Sequence, residues 1–143
     1  MDRSLPTAIL IEPDPVLRDQ LRQQLSGRWS VRAAANAYLA VPLLQSSRPP
    51  VVITEVDLPF VNGLEVCEIL KGRFPDTAVI VVSHDVAALA LALEAGADAV
   101  LAKPFPPQRL EQIVAELTAP HRSGRAPVAR ARRAAQGTRP GVR

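Results

Sequence analysis

The sequence predicts a doubly wound α/β domain in which five parallel strands alternate with five helices. Short, continuous apolar runs recur along the chain, and each is followed by a segment in which apolar residues have helical spacing. A continuous apolar run is typical of a strand buried on both faces of a parallel sheet. Right-handed crossovers then place helices on both faces of that sheet. Apolar residues make up 48% of the chain and aromatic residues only 3%, so aliphatic side chains must fill the core.

The first strand and helix carry the clearest signals. Residues 8–11 are all apolar and are followed at once by an acidic turn. Asp14 supplies a side-chain acceptor at the N-cap position, and Pro15 suits the first helical position. Leucines then recur at helical spacing until Gly27, which ends the predicted helix.

The same two patterns predict the remaining elements in order. The other strands are predicted at residues 29–33, 51–54, 78–82 and 99–102. The other helices are predicted at residues 37–45, 64–70, 86–95 and 107–117. The second helix is the weakest because Pro42 lies inside it, whereas Asn62-Gly63 and Gly96 mark the turn before the third helix and the end of the fourth.

Polar side chains follow four of the predicted strands at the point where each strand ends. These residues are Glu12, Glu55, Ser83 and Lys103. In open parallel sheets, ligands bind beyond the carboxyl ends of the strands, where the strand order reverses. The sequence therefore predicts an acidic pocket at this edge, to which Asp14 and Asp57 also contribute.

Several separated motifs in this order resemble the receiver domain of two-component response regulators over residues 7–118. They are residues 9–11 with the acidic turn, Pro59 and Gly63 after strand three, residues 81–83, residues 95–98, and Lys103-Pro104-Phe105. The resemblance implies a flavodoxin-like sheet of strand order 2-1-3-4-5. It also implies phosphoryl transfer from a histidine kinase to an aspartate after strand three, with Mg²⁺ held by acids after strand one.

Three positions depart from the pattern that the resemblance implies. In the family, the loop proline lies four residues after the phosphoacceptor and the glycine eight after it, so Pro59 and Gly63 both indicate Glu55 as the equivalent position. Pro13 occupies the position of a direct metal ligand and has no donor side chain, while Asp14 is interpreted as an N-cap. Val100 replaces the aromatic residue that reports phosphorylation.

Ser83 and Lys103 keep the two positions that contact the phosphoryl oxygens in the family. We therefore expect an atypical receiver that binds no metal or other cofactor and has no enzymatic activity. Its output is expected to depend on protein–protein interaction, with Glu55 forming an ion pair with Lys103.

Two alternatives remain open at this point. One is a conventional phosphoacceptor at Glu55 or Asp57, with Mg²⁺ held by Glu12 and Asp14. The other is a nucleic-acid-associated protein that acts through its C-terminal segment.

The fourth predicted helix carries one charge in ten residues, which predicts an exposed apolar patch. In the family this helix forms the dimerisation or output surface with the fifth strand and fifth helix. We expect Leu89, Leu93 and Val100 to belong to a surface for a signalling partner or for self-association. The alternative is that the alanine-rich helix simply reflects composition, because alanine is a strong helix former.

Charge divides the chain into two parts. Residues 1–118 carry ten basic against 14 acidic residues, a net −4, whereas residues 119–143 carry seven arginines and no acid. The second part is predicted to be a basic, disordered tail because it has few large apolar residues. Counterion release would allow weak, nonspecific contact with nucleic acid or an acidic protein, although a solvated linker explains the same composition.

Two absences suggest a cytoplasmic location without membrane contact. The chain has no apolar run long enough to cross a bilayer, and its first residues lack the pattern of a signal peptide. Cys67 is the only cysteine, which excludes an intrachain disulfide.

Overall fold

Five strands and five helices alternate in the computed structural model, which describes residues 4–120. The strands are β1 (Thr7–Ile11), β2 (Ser30–Ala34), β3 (Val51–Glu55), β4 (Ala78–Ser83) and β5 (Ala99–Ala102). The helices are α1 (Pro15–Leu25), α2 (Ala37–Ser47), α3 (Gly63–Arg73), α4 (Val86–Glu94) and α5 (Pro107–Thr118). The predicted fold class is therefore confirmed.

All strand pairs are parallel, and the strand order is β2-β1-β3-β4-β5. Alternate residues of each strand point to opposite faces, so Ile9 and Ile11 pack on one side of the sheet and Ala8 and Leu10 on the other. Helices α2, α3 and α4 cover the first side, and α1 and α5 cover the second. This arrangement leaves the carboxyl ends of the strands free of helices.

Side-chain caps determine where four of the helices begin. The Asp14 carboxylate accepts a hydrogen bond of 3.0 Å from the Val16 N–H, which confirms its N-cap role. Asn36, Asn62 and Asp85 cap α2, α3 and α4 in the same way. Each cap satisfies an N–H group that has no partner within its helix.

Several predicted boundaries differ from the observed ones by one to three residues. The Trp29 N–H donates to the Leu25 carbonyl oxygen at 3.0 Å, so this residue lies in the turn after α1 and not in β2. Helix α2 continues through Pro42, whose ring is exposed, and ends two residues later than predicted, at Ser47. Helix α3 likewise extends to Arg73, and the Phe74 N–H donates to the Leu70 carbonyl oxygen at its end.

A buried ion pair joins α3 to the turn between α4 and β5. Asp98 is 1% exposed and accepts hydrogen bonds of 2.8 Å from the Lys71 ammonium and from the Val79 N–H. The same ammonium donates to the carbonyl oxygens of Pro75 and Thr77. These contacts connect the end of α3, the start of β4 and the turn before β5. They lie at the edge of the sheet opposite the predicted pocket.

The predicted partner surface is wrong for two of its three residues, and the third is only partly exposed. Leu89 and Val100 are buried in the core at 1% and 2% exposure, and Leu93 is only partly accessible. Val100 lies within the sheet and pairs with Val81. Because α4 is apolar nearly all round, its sequence does not reveal which side faces the sheet. The exposed apolar residues of this helix are Val86, Ala87, Ala90 and Leu91.

Two other predictions concern the C-terminal tail and membrane spans. The basic tail predicted at residues 119–143 lies outside the described residues, except for its first two positions. None of the helices within residues 4–120 has the length and apolar character needed to span a bilayer.

Candidate functional site

The carboxyl ends of β1, β3 and β5 bring three charged side chains together. Glu12 directly follows β1, and Glu55 is the last residue of β3, the neighbouring strand. Lys103 follows β5, and its N–H donates to the Ser83 carbonyl oxygen at the end of β4. The lysine side chain is long enough to cross the end of β4 and reach β3.

The Lys103 ammonium lies between the two glutamates. It donates a hydrogen bond of 2.9 Å to Glu12 Oε1 and a second one to Glu55 Oε1. Glu12 is 1% exposed, Glu55 is 4% exposed, and the lysine side chain is 7% exposed. We call these three residues the triad. Its ion pair between Glu55 and Lys103 is the one expected from the sequence.

Two backbone groups satisfy the other carboxylate oxygens of the triad. The Asp14 N–H donates to Glu12 Oε2 at 3.0 Å, and the Asp57 N–H donates to Glu55 Oε2 at 2.8 Å. Each glutamate thus accepts from the residue two positions later, and all four carboxylate oxygens have a partner. A buried polar group that is fully hydrogen-bonded avoids a large desolvation penalty. The repeated pattern Glu-x-Asp at two strand ends is the sequence signal for this arrangement.

The triad also changes the acidity of its lysine. Burial lowers the pKa of the Lys103 ammonium, but hydrogen bonds to Glu55 and Glu12 and the charges of both carboxylates outweigh this effect. The pKa therefore lies above the ordinary value for lysine. Below that pKa the ammonium retains its charge and remains paired with the two carboxylates.

Gly63 lets the start of α3 lie against the end of β3. A Cβ atom at this position would be 2.1 Å from the Glu55 carbonyl oxygen and 2.7 Å from Val56 Cα. The Gly63 N–H donates to the Val56 carbonyl oxygen at 2.8 Å. Only glycine permits this approach, so the residue that sequence analysis treated as a turn also positions Glu55.

Three other predicted site residues lie near the triad without a side-chain contact to its lysine. Asp14 and Asp57 are exposed, and each meets the triad through its backbone N–H. Ser83 is buried, and its hydroxyl oxygen accepts from the Asp85 N–H at 3.0 Å. The acidic pocket therefore contains two buried glutamates, with both aspartates at its rim.

The donor set does not fit Mg²⁺, which requires near-ideal octahedral coordination by oxygen. Both Oε1 atoms of the triad are occupied by the Lys103 ammonium, and both Oε2 atoms accept from backbone N–H groups. Pro13 presents no side-chain oxygen. Within residues 4–120, no group of three or more His, Cys, Asp or Glu side chains is arranged to hold a metal ion.

A solvent-open cavity of about 310 Å³ adjoins the triad on the side of α1. Asp14, Lys103 and His84 contribute to its walls, and His84 is exposed. The cavity leaves the rim of the site accessible, although the triad itself is buried.

The sheet topology matches that of a known signalling family. The family model of the response regulator receiver domain matches residues 8–115. The chain belongs to this family, whose members are receiver domains of two-component signalling and act as signalling modules and not as classical enzymes.

Curated relatives agree with this assignment. The response regulator MprA of Mycobacterium tuberculosis is 33% identical over 114 residues, which cover 78% of this chain and 48% of that protein. MprA of Mycolicibacterium vanbaalenii is 35% identical over 119 residues, which cover 80% of this chain and 50% of the relative. The chain therefore spans about half the length of the curated relatives that it matches.

Solved structures share the fold. The BeF3-activated receiver domain of DrrB has a TM-score of 0.71 at 26% identity, covering 77% of this chain and 94% of that domain. A putative response regulator from Chloroflexus aurantiacus has a TM-score of 0.73 at 27% identity, covering 78% of this chain and 96% of the other.

Proposed function

We propose that this chain is an atypical receiver domain whose state does not depend on phosphorylation and which acts through protein–protein interaction in the cytoplasm. The observation that carries this proposal is the triad. Lys103 holds both Glu12 and Glu55 at the place where the family binds a cation and accepts a phosphoryl group.

Charge explains why the triad opposes phosphorylation. A phosphoryl dianion that approaches two carboxylates meets repulsion of about 1–4 kcal/mol for each like-charge pair at about 4 Å. A divalent cation would offset this repulsion, but the side chain of Pro13 has no ligand atom. The Lys103 ammonium is already hydrogen-bonded to both glutamates. The other nearby cation, Arg18, donates to the carbonyl oxygens of Glu12 and Pro13. We infer that the domain needs no metal, has no other cofactor and is not an enzyme.

The phosphorylation state can be tested directly by intact mass. We expect the full chain, incubated with MgCl₂ and acetyl phosphate, to gain no phosphoryl group. The matched control is the double variant Pro13→Asp/Glu55→Asp, which restores a metal ligand and an aspartate acceptor and should gain one. A phosphoryl group on the wild-type chain that is lost on Asp57→Asn would refute the proposal and favour the conventional receiver.

The exposed apolar side of α4 supports an interaction role. Val86 is 59% exposed and Leu91 is 52% exposed, and the two alanines between them, Ala87 and Ala90, are also accessible. A contiguous apolar surface of this kind typically marks a protein interaction site. We propose self-association through this side of the helix.

A charge on this surface should separate interaction from folding. We expect Leu91→Glu to abolish a dimer detected by sedimentation velocity, with less than about 0.5 kcal/mol change in unfolding free energy because the side chain is exposed. Leu39→Glu places the same charge on α2, where Leu39 is 57% exposed, and should leave the dimer intact. A wild-type chain that sediments as a monomer at high concentration would contradict self-association.

A further inference from the structure

We propose that a cavity between α2 and α3 binds a small, uncharged aromatic molecule. The cavity has a volume of about 160 Å³ and opens to solvent. Among residues 4–120, no charged residue lines it, and Tyr38 is the only lining residue with a polar side-chain atom. It lies on the side of the sheet covered by α2, α3 and α4, apart from the triad.

Volume and chemistry together define the ligand class. An enclosed apolar cavity of about 150 Å³ in another protein binds benzene. The cavity between α2 and α3 has a similar volume and an opening through which a ring can enter. A charged ligand is excluded because burial of an ion without a partner is strongly unfavourable. The ligand that fits is therefore neutral and close to a single aromatic ring in size.

One aromatic side chain lines the cavity, and a second contacts the first. Tyr38 lines it and contacts the Phe60 ring, with ring centroids 5.7 Å apart and an angle of 59° between the planes. Phe60 is 79% exposed and has a φ of +74°, a conformation that non-glycine residues rarely adopt. Strained residues of this kind concentrate at ligand-binding segments. The rim thus presents aromatic surface to an entering ring.

Although the cavity lies apart from the triad, two of its lining residues belong to the chain segments that carry Glu12 and Glu55. Ile11 forms part of its floor and directly precedes Glu12, while Val61 belongs to the loop that connects Glu55 to α3. An occupant would therefore contact the two segments that carry the glutamates. A role as the input that replaces phosphorylation rests on the proposed function, whereas ligand binding itself does not.

The test is a titration of the ¹⁵N-labelled full chain with benzene and toluene, followed by NMR. We expect saturable shifts of amides in α2, α3 and the loop that follows β3, and no such shifts with benzoate, which carries a charge. Absence of saturable shifts up to the solubility limit of toluene, or shifts spread evenly over the surface, would overturn the proposal.

A pair of matched variants locates the binding site. Ile69 lines the cavity but is 55% exposed, so Ile69→Phe should fill the opening without disturbing the core and should weaken toluene binding at least tenfold. Leu39→Phe adds a similar ring on exposed α2 surface outside the cavity and should leave binding unchanged. Equal effects of both variants would overturn the proposal. Phosphoryl uptake by the wild-type chain would refute the proposed function alone.

Discussion

Replacing Lys103 with methionine should lower the free energy of unfolding by about 3–5 kcal/mol at neutral pH. The substitution keeps the length of the side chain and removes its charge, which leaves the buried carboxylates of Glu12 and Glu55 without a compensating cation. Removing one partner of a buried ion pair is strongly destabilising for this reason. Chemical denaturation followed by the fluorescence of Trp29 measures the change.

Neutralising the glutamates should reverse most of this loss. The triple variant Lys103→Met/Glu12→Gln/Glu55→Gln keeps the acceptors for the Asp14 and Asp57 N–H groups and removes all three charges. We expect it to regain most of the stability, because it removes the unpaired buried charges, which cost far more than neutral polar groups. A loss below about 1 kcal/mol for Lys103→Met alone would show that the triad behaves like an exposed ion pair.

The triad also predicts a dependence of stability on pH. Because the pKa of Lys103 is raised in the folded state, its contribution is complete below the unfolded lysine value, about 10.4. That contribution is lost as the pH rises through the higher, folded-state pKa. The stability difference between the wild-type chain and Lys103→Met should therefore shrink in alkali.

The sheet and its charged edge could be predicted because both follow from local patterns. Continuous apolar runs indicate buried strands, and parallel strands bring their carboxyl ends to one edge. Glu12, Glu55 and Lys103 each lie at such an end, so their meeting required no knowledge of side-chain packing. The ion pair between Glu55 and Lys103 followed from opposite charge and the reach of two long side chains.

The features that escaped prediction depend on packing and on backbone groups. Helix α4 has no polar side to orient it, so neither the burial of Leu89 nor the exposure of Leu91 could be derived from its sequence. The N–H groups of Asp14 and Asp57 complete the triad, whereas the sequence pattern points to their side chains. The close approach of Gly63 to the end of β3 depends on how α3 lies against the sheet.

That close approach predicts a second large effect, from Gly63→Ala. The added Cβ would lie 2.1 Å from the Glu55 carbonyl oxygen, 2.7 Å from Val56 Cα and 2.9 Å from the Glu55 carbonyl carbon. All three are backbone atoms and cannot move by rotation of a side chain, so the start of α3 or the end of β3 must shift. We expect a loss of about 3 kcal/mol or more in unfolding free energy, at the upper end of overpacking effects.

Gly72→Ala provides the matched control within the same helix. Within residues 4–120, no atom apart from the neighbouring residues and the backbone of α3 itself lies within 4 Å of a Cβ at Gly72. This change should therefore stabilise the chain by roughly 0.5 kcal/mol through helix propensity alone. A shift of the Glu55 backbone should also weaken the triad, so Lys103→Met should destabilise the Gly63→Ala background less than the wild-type chain. Additive effects of the two substitutions would show instead that Gly63 contributes to folding without positioning Glu55.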